Sequence, residues 1–100
     1  MTRLEEDLKT RGTGRTSRQM LGAPMGAIFV WCNEHVAHAK LIAAKVDRAD
    51  LKVVGPSWLD DRRWRGLNLT GVVVDHAAHL TSEQYESLID AITRIRHDTP

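Results

Sequence analysis

The chain has 100 residues, enough for one domain, and its formal net charge of +1 points to no class of partner. With 42% hydrophobic and 27% charged residues it lies in the globular range, which excludes a disordered chain. No apolar run approaches a membrane span and the acidic start lacks the regions of a signal peptide, so the expectation is a water-soluble cytoplasmic protein with no membrane partner.

In chain order, Thr2 to Thr10 reads as a short helix, with Thr2 as cap, Glu5 three residues later and Leu4 and Leu8 on one face. Arg11 to Arg18 is a loop rich in Gly, Thr and Arg that runs into a short helix through Gln19, Met20 and Leu21, broken by Gly22, Ala23 and Pro24. Ala27 to Cys32 is a continuous apolar run of strand length, suited to burial on both faces of a parallel sheet. Cys32, the single cysteine, reads as a buried reduced thiol within it. Asn33 is placed to cap a helix over 33–50. There Val36, Ala39, Ala43 and Val46 recur at helical spacing, and Leu41 and Ile42 widen the stripe.

Leu51 to Val54 forms a second strand, stopped by Gly55-Pro56, and Ser57 can cap a turn that carries Trp58 into the core. Leu69 to Asp75, with its Val72-Val73-Val74 centre, forms the third strand. Thr81 with Gln84 makes a capping box. The closing helix is expected to bury Tyr85, Leu88, Ile89, Ile92 and Ile95 along one face. Strands alternating with helices predict an α/β domain over residues 1–100, with a small three-stranded parallel sheet and flanking helices.

Two stretches carry candidate phosphate chemistry. In Arg11 to Ser17, glycines and hydroxyl residues let backbone N–H groups turn toward one anion, and a helix N-terminus adds its dipole. Gly12, Thr13, Gly14, Arg15, Thr16 and Ser17 are the candidate binding residues. Gly14-Arg15-Thr16 stands where a phosphate-binding loop has Gly-Lys-Thr, Lys9 replaces its first glycine, and the charged segment before it does not read as a strand. The competing view is a flexible basic loop. In Val72 to His79, VVVDHAAH, Asp75 ends a buried strand, the position at which α/β sheets collect ligands. It equally suits a carboxylate that only satisfies loop N–H groups.

Taken together, these motifs resemble those of P-loop NTPases, in particular the first RecA-like domain of superfamily-two helicases and small phage-type proteins of that pattern. RGTGRT resembles motif I, AIFVWCNEHVAHAKLIAA resembles the strand and helix of motif Ia, VVGPSWLDD resembles the next conserved segment, and VVVDHAAH is similar to VVVDEAH. The likeness runs from Arg11 to Leu80. It implies ATP or ADP with Mg²⁺ as cofactor, Arg15 on the phosphates, and Thr16 and Asp75 as metal anchors. It also implies a RecA-like sheet without its first strand and in chain order, the Leu51–Val54 strand central and the Gly71–Asp75 strand at a bare edge open to a homodimer partner. His76 stands where the water-polarising glutamate belongs, and neither the first strand nor a second domain is recognisable in these residues, so little or no hydrolysis is expected.

Two other chemistries compete. His35 and His38 with His76 and His79 could converge on zinc beside Asp75, but neither pair has a recognised zinc spacing. Lys9, Arg11, Arg15 and Arg18, and the group Arg62, Arg63, Trp64 and Arg65, combine charge with an aromatic as single-stranded nucleic-acid binders do. The alternative for the second group is a solvated turn with Trp64 tucked into the core edge beside Asp60 and Asp61. Three functions follow from these readings: a nucleotide- or phosphate-binding module, a non-catalytic accessory or phage-type protein that docks on a host or replication protein (in the host cytoplasm if phage-encoded), and a nucleic-acid-binding protein.

Overall fold

A computed structural model describes residues 14–60, 62 and 64–98. The expected helix over Thr2 to Thr10 and the loop residues Gly12 and Thr13 lie outside them. In order the chain forms α1 (Arg15–Gly22), β1 (Ile28–Val30), α2 (Ala37–Lys45), β2 (Lys52–Val54), a 3-10 turn (Pro56–Leu59), β3 (Val72–Val74) and α3 (Ser82–Asp98). The strands form one three-stranded sheet in the order β2-β1-β3, and both pairings are parallel. The small α/β domain with a parallel sheet and flanking helices is therefore as the sequence pattern predicts.

The strand order is a correction. The helicase resemblance puts the Leu51–Val54 strand in the centre, whereas β1 occupies it. Burial gives the reason. Ile28, Phe29 and Val30 are all buried and need a neighbour on each side, while β2 carries the exposed Lys52, which only an edge strand tolerates easily. β3 is the other edge. Ile28 N donates to Gly71 O at 3.0 Å and Asp75 N donates to Val30 O at 2.8 Å. By two-residue alternation, Val72 and Val74 then turn their backbone groups away from β1.

Two apolar layers cover the sheet. On one face Met20 of α1 and Ala39, Ile42 and Ala43 of α2 pack on Ala27, Phe29, Leu51 and Val53. On the other, Trp58, Leu59, Trp64, Leu88 and Ala91 pack on Ile28 and Val30. The β1–β2 crossover uses the first face; the β2–β3 crossover runs back over the second. Opposite directions on opposite faces give both crossovers the same hand, as the strong chirality of such connections requires.

The helices depart from their predicted limits for local reasons. α1 already begins at Arg15, with Gly14 in helical geometry (φ −60°, ψ −44°), so the described part of the predicted loop, Gly14 to Arg18, is helical. Asn33 does not cap α2: its Oδ1 accepts from His35 N at 2.8 Å, an Asx turn that delays the helix to Ala37. Leu41 is exposed, so the buried stripe of α2 is narrower than predicted, and Cys32 is only half-buried. Arg48 holds the carboxyl end of α1, donating to the carbonyls of Met20, Leu21, Ala23 and Pro24.

The capping box on α3 forms as predicted. Thr81 N donates to Gln84 Oε1 at 2.9 Å and Gln84 N to Thr81 Oγ1 at 3.1 Å. The buried face of α3 is different, however. Tyr85 and Ile89 are exposed, and Gln84 and Ser87 are buried with Leu88 and Ala91. Polar partners rotate the helix: Trp64 Nε1 donates to Ser87 Oγ at 3.0 Å, and Gln84 Nε2 donates to Asp60 Oδ1 at 2.9 Å and to Pro56 O at 3.3 Å.

Candidate functional site

The chain leaves β1 toward one face of the sheet and leaves β3 toward the other, so the chain switches faces between their carboxyl ends, the place where open α/β sheets gather ligands. α1 starts there. Thr16 lies in its first turn and is 1% exposed; Asp75, directly after β3, is 2% exposed. Thr16 Oγ1 donates to Asp75 Oδ1 at 2.8 Å, and Asp75 Oδ2 accepts from Ala77 N at 3.2 Å. Burial removes solvent from this pair, so its hydrogen bonds must come from protein.

Why these residues meet follows from the sequence. Met20 points into the aliphatic layer and seats α1 on the sheet, and Thr16, one helical turn earlier, then shares that inward face. The approach is tight: a Cβ at Gly71 would lie 2.9 Å from Pro24 Cγ, so only glycine lets the α1–β1 connection cross the start of β3. Gln19 completes the contact. Its Nε2 donates to Val74 O at 2.8 Å and its Oε1 accepts from His76 N at 2.9 Å.

Of the predicted phosphate residues, Gly14, Arg15, Thr16 and Ser17 are described. Arg15 is exposed at the start of α1 and Ser17 is half-buried. The two predicted metal anchors are in direct contact, a relationship the sequence motifs implied only through the resemblance.

The histidines do not assemble. His35 and His38 are exposed after β1, with the His38 ring 6.2 Å from that of Trp31, and His76 and His79 are exposed after β3. Among the described residues no group of three or more His, Cys, Asp and Glu side chains gathers as a metal site. His76 Nδ1 lies 3.4 Å from Asp75 Oδ1.

The basic turn is likewise altered by its packing. Trp64 is 5% exposed and hydrogen-bonded to Ser87, so the ring has no open face for a base to stack on. Arg62 pairs with Asp90, Arg65 is exposed, and Arg63 lies outside the described residues. A cleft of about 490 Å³ along β2, lined by Lys40, Leu51 and Val53 among others, shares no residue with the Thr16–Asp75 pair.

Gln19 is the residue that sequence reading misses. Its only sequence signal is its position three residues after Thr16, on the same helical face. Among the described residues no helix is long and apolar enough to cross a membrane. No family model, curated protein or solved structure matches the chain.

Proposed function

We propose that the chain is a P-loop-like module that binds the phosphates of a nucleotide and hydrolyses them slowly or not at all. The observation that carries this reading is the buried hydrogen bond between Thr16 and Asp75 beneath the N-terminus of α1. A hydroxyl and a carboxylate at that point are hard oxygen donors of the kind that suit Mg²⁺ bound with phosphate. Thr16 Oγ1 and Asp75 would hold the ion, which supplies charge neutralisation to the phosphates. Arg15, exposed beside them, meets a phosphate as a planar fork rather than as a point charge. Nothing in the Thr16–Asp75 pair reads a base, so the reading extends to phosphates and not to a particular nucleotide.

Thermal melting with ATP or ADP tests it. A ligand of the folded state raises the melting temperature by mass action. Millimolar nucleotide is expected to raise it, Mg²⁺ to add an increment, Arg15→Ala to remove most of the shift, and Asp75→Asn to remove the Mg²⁺ increment. No shift at millimolar nucleotide overturns the reading.

A second reading is favoured by the position of β3 at the sheet edge, where Val72 offers backbone groups to another strand. It makes the chain an accessory protein that pairs through this edge with a second copy or with a host or replication protein. Sedimentation of the isolated chain across concentration tests the homodimer form, and a monomer at every concentration removes it.

A further inference from the structure

Gln19 does what a neighbouring strand would do. At the outer side of β3 the carbonyl of Val74 and the amide of His76 both face away from β1, and they flank Asp75. The Gln19 carboxamide takes both: Nε2 donates to Val74 O at 2.8 Å and Oε1 accepts from His76 N at 2.9 Å. One side-chain amide thus stands in for the N–H and C=O of one residue of a neighbouring strand. It belongs to α1, and it lies one helical turn beyond Thr16, whose hydroxyl meets the Asp75 side chain itself.

We propose that Gln19 is a positioning residue that clamps the Asp75 peptide to α1, so that the carboxylate on the metal side and the helix on the phosphate side stay in register as one unit. The ligand half of this proposal rests on the phosphate-binding reading above; the clamp itself does not. A carboxamide is required because the two backbone groups differ: one is an acceptor and one is a donor. Glutamate has no donor when ionised and would set a carboxylate against the Val74 carbonyl. Leucine keeps the bulk and offers neither group. Without the clamp the described bonds that tie Asp75 to the rest of the fold are Asp75 N on Val30 O and the side-chain bond to Thr16, beside the local turn that Ala77 N and Ala78 N make with Asp75. Its carboxylate then samples positions away from the helix N-terminus.

The clamp also limits the β3 edge. A strand adding to that edge can reach Val72 but meets the Gln19 carboxamide at the Val74 carbonyl. Edge pairing is therefore confined to the amino end of β3, away from Asp75.

The test compares the unsubstituted protein with Gln19→Leu and Gln19→Glu by two measurements. The first is ligand-free amide hydrogen exchange. The His76 amide is expected to exchange about fivefold faster in Gln19→Leu, as loss of a bond worth roughly 1 kcal/mol implies, and to change less in Gln19→Glu, whose carboxylate still accepts from it, with β1 amides changed much less. Unchanged His76 exchange in Gln19→Leu overturns the clamp whatever the ligand does. The second is the melting shift with ATP, without and with Mg²⁺. Both variants are expected to keep the Mg²⁺-independent shift and to lose the Mg²⁺ increment, a split that simple loss of stability does not produce. An increment that survives in both variants overturns the ligand half. A wild-type protein that shows no shift at all overturns the phosphate reading and the ligand half with it, while the exchange result still decides the clamp.

Discussion

Thr16 and Asp75, 59 residues apart in the chain, are joined by a 2.8 Å hydrogen bond between two buried side chains. Removing the donor alone strands a buried acceptor, which costs more than the bond itself contributes. Thr16→Val keeps the shape and removes the hydroxyl. It is expected to lower unfolding stability by about 1–3 kcal/mol, whereas Thr16→Ser, which keeps the donor, loses less. Urea denaturation of the three proteins measures this, and equal midpoints for wild type and Thr16→Val would show the bond to be energetically idle.

A second expected outcome concerns Glu34 and Gly55. Glu34 accepts from Ser57 N at 2.9 Å and from Ser57 Oγ at 2.7 Å, which caps the 3-10 turn after β2. A Cβ on Gly55 would collide with the Glu34 carboxylate. Gly55→Ala is therefore expected to act by displacing Glu34, at a cost of about 1–2 kcal/mol. In a Glu34→Ala background the same change has nothing to displace and costs much less. A double-mutant cycle reads this coupling directly, and additive effects would refute it.

The order of these contacts explains what the sequence reveals and what it hides. Strands and capping box are legible because each is local. The AIFVWC run, the Gly55-Pro56 stop and the Thr81–Gln84 spacing each span only a few residues. Strand order is not local. It depends on Phe29 needing cover on both sides and Lys52 needing water, a cue that the helicase resemblance does not carry. The face of α3 is hidden for a similar reason. Tyr85 and Ile89 outrank Gln84 and Ser87 in hydrophobicity, yet the latter are buried because Trp64 Nε1 and Asp60 need partners there. At the site, Thr16 and Asp75 carry motif signals, but Gln19 looks like any exposed helical glutamine until β3 is placed beside it.

A pH dependence follows from Asp50. Its carboxylate accepts from Arg48 Nε at 3.0 Å, Arg48 Nη2 at 3.1 Å and Gly26 N at 2.8 Å. The Arg48 bond first, and then the Gly26 amide, hold this carboxyl far below the usual carboxylate range. A group whose folded pKa is depressed stabilises the fold fully above its unfolded pKa, about 3.9 for Asp. The contribution is then lost progressively as pH falls from there toward the folded value. Wild type is thus expected to exceed Asp50→Asn in urea midpoint at pH 6, with the gap narrowing between about pH 4 and pH 2. A gap that stays constant or widens on acidification would contradict the assignment.

The last expected outcome concerns catalysis and turns on His76. In P-loop helicases the residue after the metal-binding Asp is an acidic group that orients water toward the γ-phosphate. Imidazole is neutral or cationic and never supplies that negative charge. Its side chain lies instead against Asp75, with Nδ1 3.4 Å from Oδ1, and its backbone N–H is taken by Gln19. An arginine finger contributes on the order of 10³–10⁵ in rate in related phosphoryl transfers. Assayed alone, this chain has no second protein to supply one. Hydrolysis at or near background is expected even when nucleotide binds. His76→Glu is expected to fold, because the position is exposed, but with a small loss of stability from placing a second carboxylate beside Asp75. The variant gains an acidic group without gaining the finger, so its rate is expected to rise slightly and to stay below multiple turnovers per second. Steady-state phosphate release from wild type, His76→Glu and Arg15→Ala decides the matter. Robust turnover by the wild type that disappears in Arg15→Ala would establish a working active site and overturn the slow-hydrolysis reading.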